Sequence, residues 1–435
     1  MWNPLSRPVR GAPLALTAVL AGLAAPGGLA QESPERYLRL VESEGGERLG
    51  LELCIRAFAP AEGGGPRVFL AAAMHVADQD YYDVLQAFLD AKDVVLFERV
   101  APAAEVDPAL AGAAPDELSR VHATRRRLEY VGLALERHRR EAGAYPATLE
   151  ELAEALNPGA GRDRRALARA RADAWGRPLV YGPPRAGEGS AEGIELTSLG
   201  ADGRIGGTGV DADRRLSDQP LSPAEIEGEG GLQTDLAAAL DLVFQLDAVD
   251  YNGAQWRNSD MSIEEIGRRL DAGGSGDQGL FGALDGSSAL TKIAGGLLRL
   301  LGSSRQGSSL MKVVGIELLA RADELLTAVP GEMGALLEVL IVDRNTVVLE
   351  DLAALIEREP EVRTVAIFYG AGHMLDLEQR LTAELGYRYD GEAWVTALTV
   401  DVASTGLSVR RVNTLRGLIR RTIDSELQSM NRAGD

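Results

Sequence analysis

Residues 67–98 read RVFLAAAMHVADQDYYDVLQAFLDAKDVVLFE. A wholly apolar run at 68–74 ends at His75. Helical spacing follows at Tyr81, Val84, Leu85, Phe88 and Leu89, and a second apolar run at 94–97 closes on Glu98. Strand, helix and strand in this order predict a βαβ unit, and with it an α/β fold on a mainly parallel sheet. Upstream, residues 37–58 alternate in the manner of a strand (Leu49, Leu51, Leu53, Ile55), and the Gly-rich stretch 62–66 sets them apart from 68–74. Far downstream, a buried strand at 365–368 runs into Gly370-Ala371-Gly372-His373, with a helix at 375–385 and a final strand at 394–402. Between them, helical spacing recurs at 236–246, 262–270, 316–326 and 339–356, with loops at 273–276 and 302–309.

A different pattern occupies the middle. Residues 116–142 predict one long Arg-rich helix with an apolar stripe at Leu118, Val121, Leu128, Val131 and Leu135. Thr148 and Glu151 form a capping box for a helix at 149–156. A strand near 179–181, a Gly/Asp loop at 200–213 and a polar linker at 217–231 complete the segment. Arg125–Arg127 and Arg137–Arg140 form a basic surface, read as a solvated face that includes His122 and His138 or, alternatively, as one that docks on the acidic flanking segments or an acidic partner.

The 435 residues suit two to three domains and carry a net charge of −20, which argues against nucleic acid and anionic membrane as partners. One cysteine, Cys54, excludes a disulfide framework, and the four histidines (His75, His122, His138, His373) restrict any histidine metal site. Arg7 and Arg10, an apolar run at 12–25 and Gly28-Leu29-Ala30 have the layout of a secretory leader over residues 1–30, with an uncleaved N-terminal anchor as the alternative. The expectation is an exported protein of the periplasm or cell envelope, with no transmembrane span in the mature chain.

Two clusters carry candidate chemistry. Asp202, Asp211 and Asp213 place carboxylates on a Gly-rich loop, the donor type that calcium takes together with backbone carbonyls. His75, Glu98 and His373 each end an apolar strand, and loops at the carboxyl ends of strands converge on one crevice. Two imidazoles and a carboxylate there suit a divalent metal with open positions for water. Asp250 and Asp260 read either as carboxylates that back the site residues or as helix caps and packing carboxylates, with the cap or packing role favoured.

Three phrases in the middle segment occur in fixed order: Gly143-Ala144-Tyr145-Pro146, then Asp173-Ala174-Trp175-Gly176-Arg177-Pro178 with Tyr181, then Ser198-Leu199-Gly200-Ala201-Asp202-Gly203 with Gly206-Gly207 and Asp211-Ala212-Asp213. Together they resemble the C-terminal globular domain of the GspG family, the major pseudopilin of type II secretion. The resemblance implies an α+β pilin-like module, with a long helix and a small antiparallel sheet. It also implies a calcium site made by Asp202, Asp211 and Asp213 with Leu199 as a carbonyl donor. The Ala/Pro-rich residues 105–115 stand where a pseudopilin has its long apolar assembly helix.

The flanks resemble the TraB/GumN-like members of the TIKI superfamily through 68–75, Tyr81-Tyr82, Val94–Glu98, Phe244–Asp247 with Asp250-Tyr251, Asp343-Arg344-Asn345, and 368–373 leading to Leu385-Gly386-Tyr387. Of that family's two G-x-x-H motifs, Gly370 to His373 is intact and the first reads Ala72-Ala73-Met74-His75. The resemblance implies a discontinuous host domain, 31–115 and 221–435, interrupted by the module at 116–220. It implies a metal-dependent, peptidase-like hydrolase acting on a peptide or small molecule with manganese or cobalt. His75 and His373 would hold the metal, Glu98 would be a ligand or general base, and Arg344 would stabilise an oxyanion. The competing reading is a non-enzymatic envelope protein, or a pseudopilin-like scaffold that contacts secretion machinery.

Overall fold

The computed structural model describes residues 36–100, 108–155, 167–183, 194–218, 221, 242–272, 304–322, 324 and 338–434. The leader at 1–30, the part 236–241 of the helix expected at 236–246, the loop at 273–276 and most of the linker at 217–231 lie outside them. Within that helix expectation Val243–Phe244 instead form a short strand, followed by the helix Gln245–Ala248. The described residues belong to two compact units. One is drawn from Met1–Ala103, Gly231–Ala248 and Ser259–Asp435, the other from Ala104–Gly230 and Val249–Asn258. The short segment Val249–Asn258, which the sequence places with the flanks, falls in the second unit.

The principal elements of the first unit are β1 (Leu38–Glu42), β2 (Arg48–Pro60), β3 (Arg67–Ala73), α1 (Gln79–Asp90), β4 (Val94–Phe97), α2 (Arg305–Leu319), α3 (Arg344–Arg358), β5 (Thr364–Gly370), α4 (Met374–Ala383), β6 (Tyr387–Asp401) and α5 (Val409–Gly434). Its sheet is mixed. β5 lies between β3 and β4 and is parallel to both, with Phe368 level with Ala71 and Phe97. Residues 68–73 and 94–97 are buried throughout, as both-face burial of central parallel strands requires. Outside this parallel centre the pairing is antiparallel: β2 with β3, and β1 and β6 with β2. The mainly parallel expectation therefore describes the centre, and the flank adds an antiparallel layer. The single strand expected at 37–58 is a hairpin, β1 and β2, turned at Ser43–Gly46, where Gly46 N–H donates to Ser43 O.

Arg56 on β2 is fully buried. It persists because its guanidinium donates to Glu378 at 2.6 Å, Glu392 at 3.2 Å and Arg36 O at 2.6 Å, and stacks on Tyr37. Helix α2 begins inside the loop expected at 302–309, because Ser304 caps it by accepting from Gly307 N–H. Helix α5 has no counterpart in the sequence expectations. Its Val412 and Ile423 are buried, and Arg416 between them donates to Glu317 and Glu42.

In the second unit the helix Pro115–Ala142 starts with proline at its first turn and ends at Gly143 in the left-handed region. Leu128, Val131 and Leu135 pack with Leu152, Leu167, Leu179 and Leu196. The sheet is antiparallel, Val180–Gly182 with Glu195–Ser198 and that with Arg214–Arg215. The capping box is present: Thr148 Oγ1 accepts from Glu151 N–H and the Glu151 carboxylate accepts from Ala147 N–H. The solvated reading of the Arg face is corrected at two positions. Arg126 donates to the carbonyls of Tyr251, Gly253 and Trp256, and buried Arg127 to those of Asn252, Ala172 and Asp173. These carbonyls need donors, and planar guanidinium groups supply several at once.

Candidate functional site

The carboxyl ends of β4 and β5 set the first site. Glu98 follows β4, and its N–H donates to Phe368 O on the neighbouring strand. Its carboxylate then turns toward the end of β5, where Gly370 N–H donates to Oε2 at 2.7 Å. A side chain at 370 would crowd this contact, since a Cβ there would lie 3.3 Å from Glu98 Oε2. The other oxygen, Oε1, accepts from Arg344 Nη2 at 2.6 Å. Arg344 opens α3 and is also held by Asp260, Nε to Oδ1 at 2.8 Å and Nη2 to Oδ2 at 2.7 Å. Asp260 additionally accepts from Met261 N–H, but the helix Ile263–Ala272 that follows is capped by Ser262, which accepts from Glu265 N–H, so the helix-cap expectation for Asp260 is corrected.

Electrostatics follow from this packing. Burial raises the Glu98 carboxyl, but His373, Arg344 and the Gly370 N–H outweigh it and hold the group below its ordinary range. Burial lowers Arg344, but Asp260 and Glu98 outweigh it and raise the group. Burial raises Asp260 more than Arg344 lowers it. The two shifts of this pair point in opposite directions for charge separation, and the two-pronged contact with a permanent guanidinium favours an ionised Asp260.

His373 lies just past β5, buried, with its ring edge-on to Tyr369 at 5.2 Å between centroids. Nδ1 is 2.8 Å from Asn345 Oδ1, and Nε2 is 3.7 Å from Glu98 Oε1. Burial, with smaller contributions from Arg344 and His75, pushes the imidazole down to about 4 against the opposing pull of Glu98. His75 is exposed at the end of β3, and its carbonyl accepts from Gln245 N–H at 2.7 Å. Ala72 of the first motif lies within extended β3, so this position makes no demand for glycine.

The structure therefore brings Glu98, Arg344 and His373 together, with His75 near enough to act on His373 electrostatically. The arrangement does not fit the transition-metal centre expected for His75, Glu98 and His373. Both Glu98 oxygens already accept hydrogen bonds, one of them from a cation, and among the described residues no three His, Cys, Asp or Glu side chains converge as a metal cage. Nor is Arg344 presented as a free oxyanion donor: buried between Asp260 and Glu98, with Nη1 3.3 Å from Leu340 O, it clamps Glu98. Asn345 is the functional neighbour to which the sequence expectations assign no role, whereas the Asp260 clamp on Arg344 matches the reading of Asp260 as a carboxylate that backs the site rather than the favoured helix cap. The adjacency of Asn345 to Arg344 at the start of a helix was the available signal.

The second site is the Asp/Gly loop. Buried Asp173 joins the module's phrases: Oδ1 accepts from Trp175 and Arg177 N–H, and Oδ2 accepts from Ser198 Oγ at 2.8 Å. The loop then folds onto itself. Ala201 N–H donates to Val210 O and Asp213 N–H to Gly206 O. At Gly200, in the left-handed region, a Cβ would meet Asp211 O at 2.4 Å. Asp202 is exposed and accepts from Arg204 N–H at 2.9 Å. Asp213 Oδ1 is buried without a hydrogen-bond partner among the described residues, and Oδ2 is 3.5 Å from Arg215. Arg214 donates to Gly209, Val210 and Ala212 carbonyls. Several carbonyls of the loop are thus already engaged, those of Gly209, Val210 and Ala212 by Arg214 and that of Gly206 by Asp213 N–H, which leaves Asp213 Oδ1 as the buried carboxylate oxygen without a hydrogen-bond partner. A cage in which Asp202, Asp211 and Asp213 all converge is not formed.

A family model described as Type II secretion system (T2SS), protein G, matches residues 114–215. No curated protein and no solved structure matches the chain. The TraB/GumN-like resemblance of the flanks has no support from these comparisons. Among the described residues, no helix is long and apolar enough to cross a membrane.

Proposed function

We propose that this chain is a secretion-associated protein of the cell envelope, and that its second unit is a pilin-like binding module stabilised by calcium at Asp213. The match of residues 114–215 to type II secretion protein G carries the reading. It is supported by a long helix packed on a small antiparallel sheet and by the Asp173 hub that ties the module's phrases together. Leu199 and neighbouring carbonyls, with Asp202 and Asp211 at the periphery, would complete an oxygen shell. The partner is a component of the secretion machinery. The test is binding of the full-length protein to the purified major pseudopilin of the same organism, in calcium and in chelator. Saturable binding that weakens in chelator supports the proposal. No binding in either buffer counts against it.

The Glu98–His373 arrangement favours a second reading, a hydrolase for a peptide or small molecule. Its donors suit acid–base chemistry without a resident metal. Turnover of chromogenic ester and amide probes that survives dialysis against chelator, and is lost in Glu98→Gln, would support it. Turnover that requires added manganese or cobalt would restore the metal-centre expectation.

A further inference from the structure

Asn345 is buried beside His373, and its amide orientation is fixed by its surroundings. Nδ2 has two acceptors, His373 O at 3.1 Å and Asp376 Oδ2 at 2.8 Å. The NH2 group belongs on that side, so the carbonyl Oδ1 faces the imidazole, 2.8 Å from Nδ1. A carbonyl oxygen only accepts. The Nδ1 atom must therefore carry the ring proton when His373 is neutral, which leaves Nε2 with its lone pair.

The nearest charged group to that nitrogen is an acceptor. Nε2 and Glu98 Oε1 are 3.7 Å apart, longer than a hydrogen bond, with Oε1 already holding Arg344. Two acceptors facing each other across such a gap repel unless a donor comes between or beside them. We propose that Asn345 is a positioning residue that fixes His373 as the Nδ1–H tautomer, so that Nε2 and Glu98 Oε1 form a seat for a hydrogen-bond donor, a water or a substrate hydroxyl. In that seat the donor's O–H proton moves to Nε2, giving imidazolium beside the Glu98 carboxylate and leaving an oxygen nucleophile. That oxygen bonds to the substrate's carbonyl carbon, the bond from that carbon to the leaving group breaks, and the leaving group takes the proton from Nε2, which restores the neutral ring with no change of oxidation state. Burial, Arg344 and His75 keep the ring neutral, and Glu98 is the group beside it that favours the imidazolium once a proton arrives. The role deepens the hydrolase reading and rests on it for its catalytic step. The tautomer itself does not.

The experiment is nitrogen-15 NMR of histidine-labelled full-length protein near pH 7.5, with the His373 signals assigned by their loss in His373→Gln. The expected spectrum shows a protonated Nδ1 and a bare Nε2, biased at least about tenfold, the ratio set by one hydrogen bond of about 1.4 kcal/mol. Asn345→Ala should shift the population toward Nε2–H, and Asn345→Asp, which still accepts from Nδ1, should keep it. A wild-type spectrum with Nε2–H dominant overturns the proposal, whether or not any variant folds. Turnover of the ester probe with Nε2–H dominant would leave the hydrolase reading standing and remove Asn345's role. The Nδ1–H tautomer without turnover would keep the positioning geometry and remove the hydrolase reading.

Discussion

Replacing Arg344 with Met should be among the most damaging single changes in the first unit. The guanidinium makes two hydrogen bonds to Asp260 and one to Glu98, at 2.6–2.8 Å. The Asp260 side chain has no exposure to water, and that of Glu98 is 17% exposed. Methionine fills most of the volume but leaves these carboxylates without their cation. Removing one partner of a buried pair costs about 3–5 kcal/mol, because the remaining charge stays desolvated. For a unit of this size that corresponds to a fall in melting temperature on the order of 10 °C. Differential scanning calorimetry of the full-length protein reads the first unit's transition directly. Arg344→Lys should recover only part of the loss, since an ammonium cannot bridge Asp260 with two prongs. The double change Arg344→Met with Asp260→Asn should recover more, by removing the stranded charge. A shift below about 2 °C in Arg344→Met would refute the clamp and return Arg344 to the oxyanion role that the sequence suggests.

Calcium in hundredfold excess over its dissociation constant should stabilise the second unit by about 2.7 kcal/mol, and Asp213→Asn should abolish the gain. Calorimetry with and without calcium checks this, and equal curves for wild type would sink it. Acid should destabilise the first unit earlier than carboxylate protonation explains. The folded His373 is pushed down to about 4 from 6.5, so between those values the unfolded chain binds a proton that the folded chain does not. Stability then falls as pH falls through that window, with a slope up to about 1.4 kcal/mol per pH unit. His373→Gln should flatten it, and urea midpoints at several pH values that move equally in both proteins would contradict the burial argument. Finally, Gly370→Ala should cost about 1–3 kcal/mol, because its Cβ presses on Glu98 Oε2. A melting temperature unchanged by this substitution would mean that Glu98 can give way.

The legible parts of this chain are those in which local pattern and tertiary burial agree. Residues 68–73 and 365–369 are continuous apolar runs and became neighbouring parallel strands. The hairpin within 37–58 was harder to see, since both arms alternate and the turn between them is short. Helix α5 carries no clear local signature, because its buried stripe includes Arg416, whose carboxylate partners lie far away in sequence. The same distance hides the meaning of Arg344. Glu98 is 246 residues away and Asp260 is 84 away, so no local spacing announces the clamp. Arg126 and Arg127 mislead in the opposite way. An Arg run on a helix reads as solvated, and the carbonyls that hold it come mostly from more than a hundred residues downstream. The strand-end positions of Glu98 and His373 were legible, whereas the hydrogen bonds that decide what those groups can do were not.

The central claim is that residues 114–215 present a pilin-like surface to secretion machinery. Ile205, at the tip of the Asp/Gly loop, is 87% exposed and offers a probe position that leaves the fold intact. A photo-crosslinking amino acid at 205, in cells that carry a type II secretion system, should yield an adduct with a pseudopilin, and the same probe at exposed Arg421 in the first unit should not. Absence of the pseudopilin adduct from 205 and from other exposed positions of the second unit, in protein shown to be folded and exported, would contradict the account.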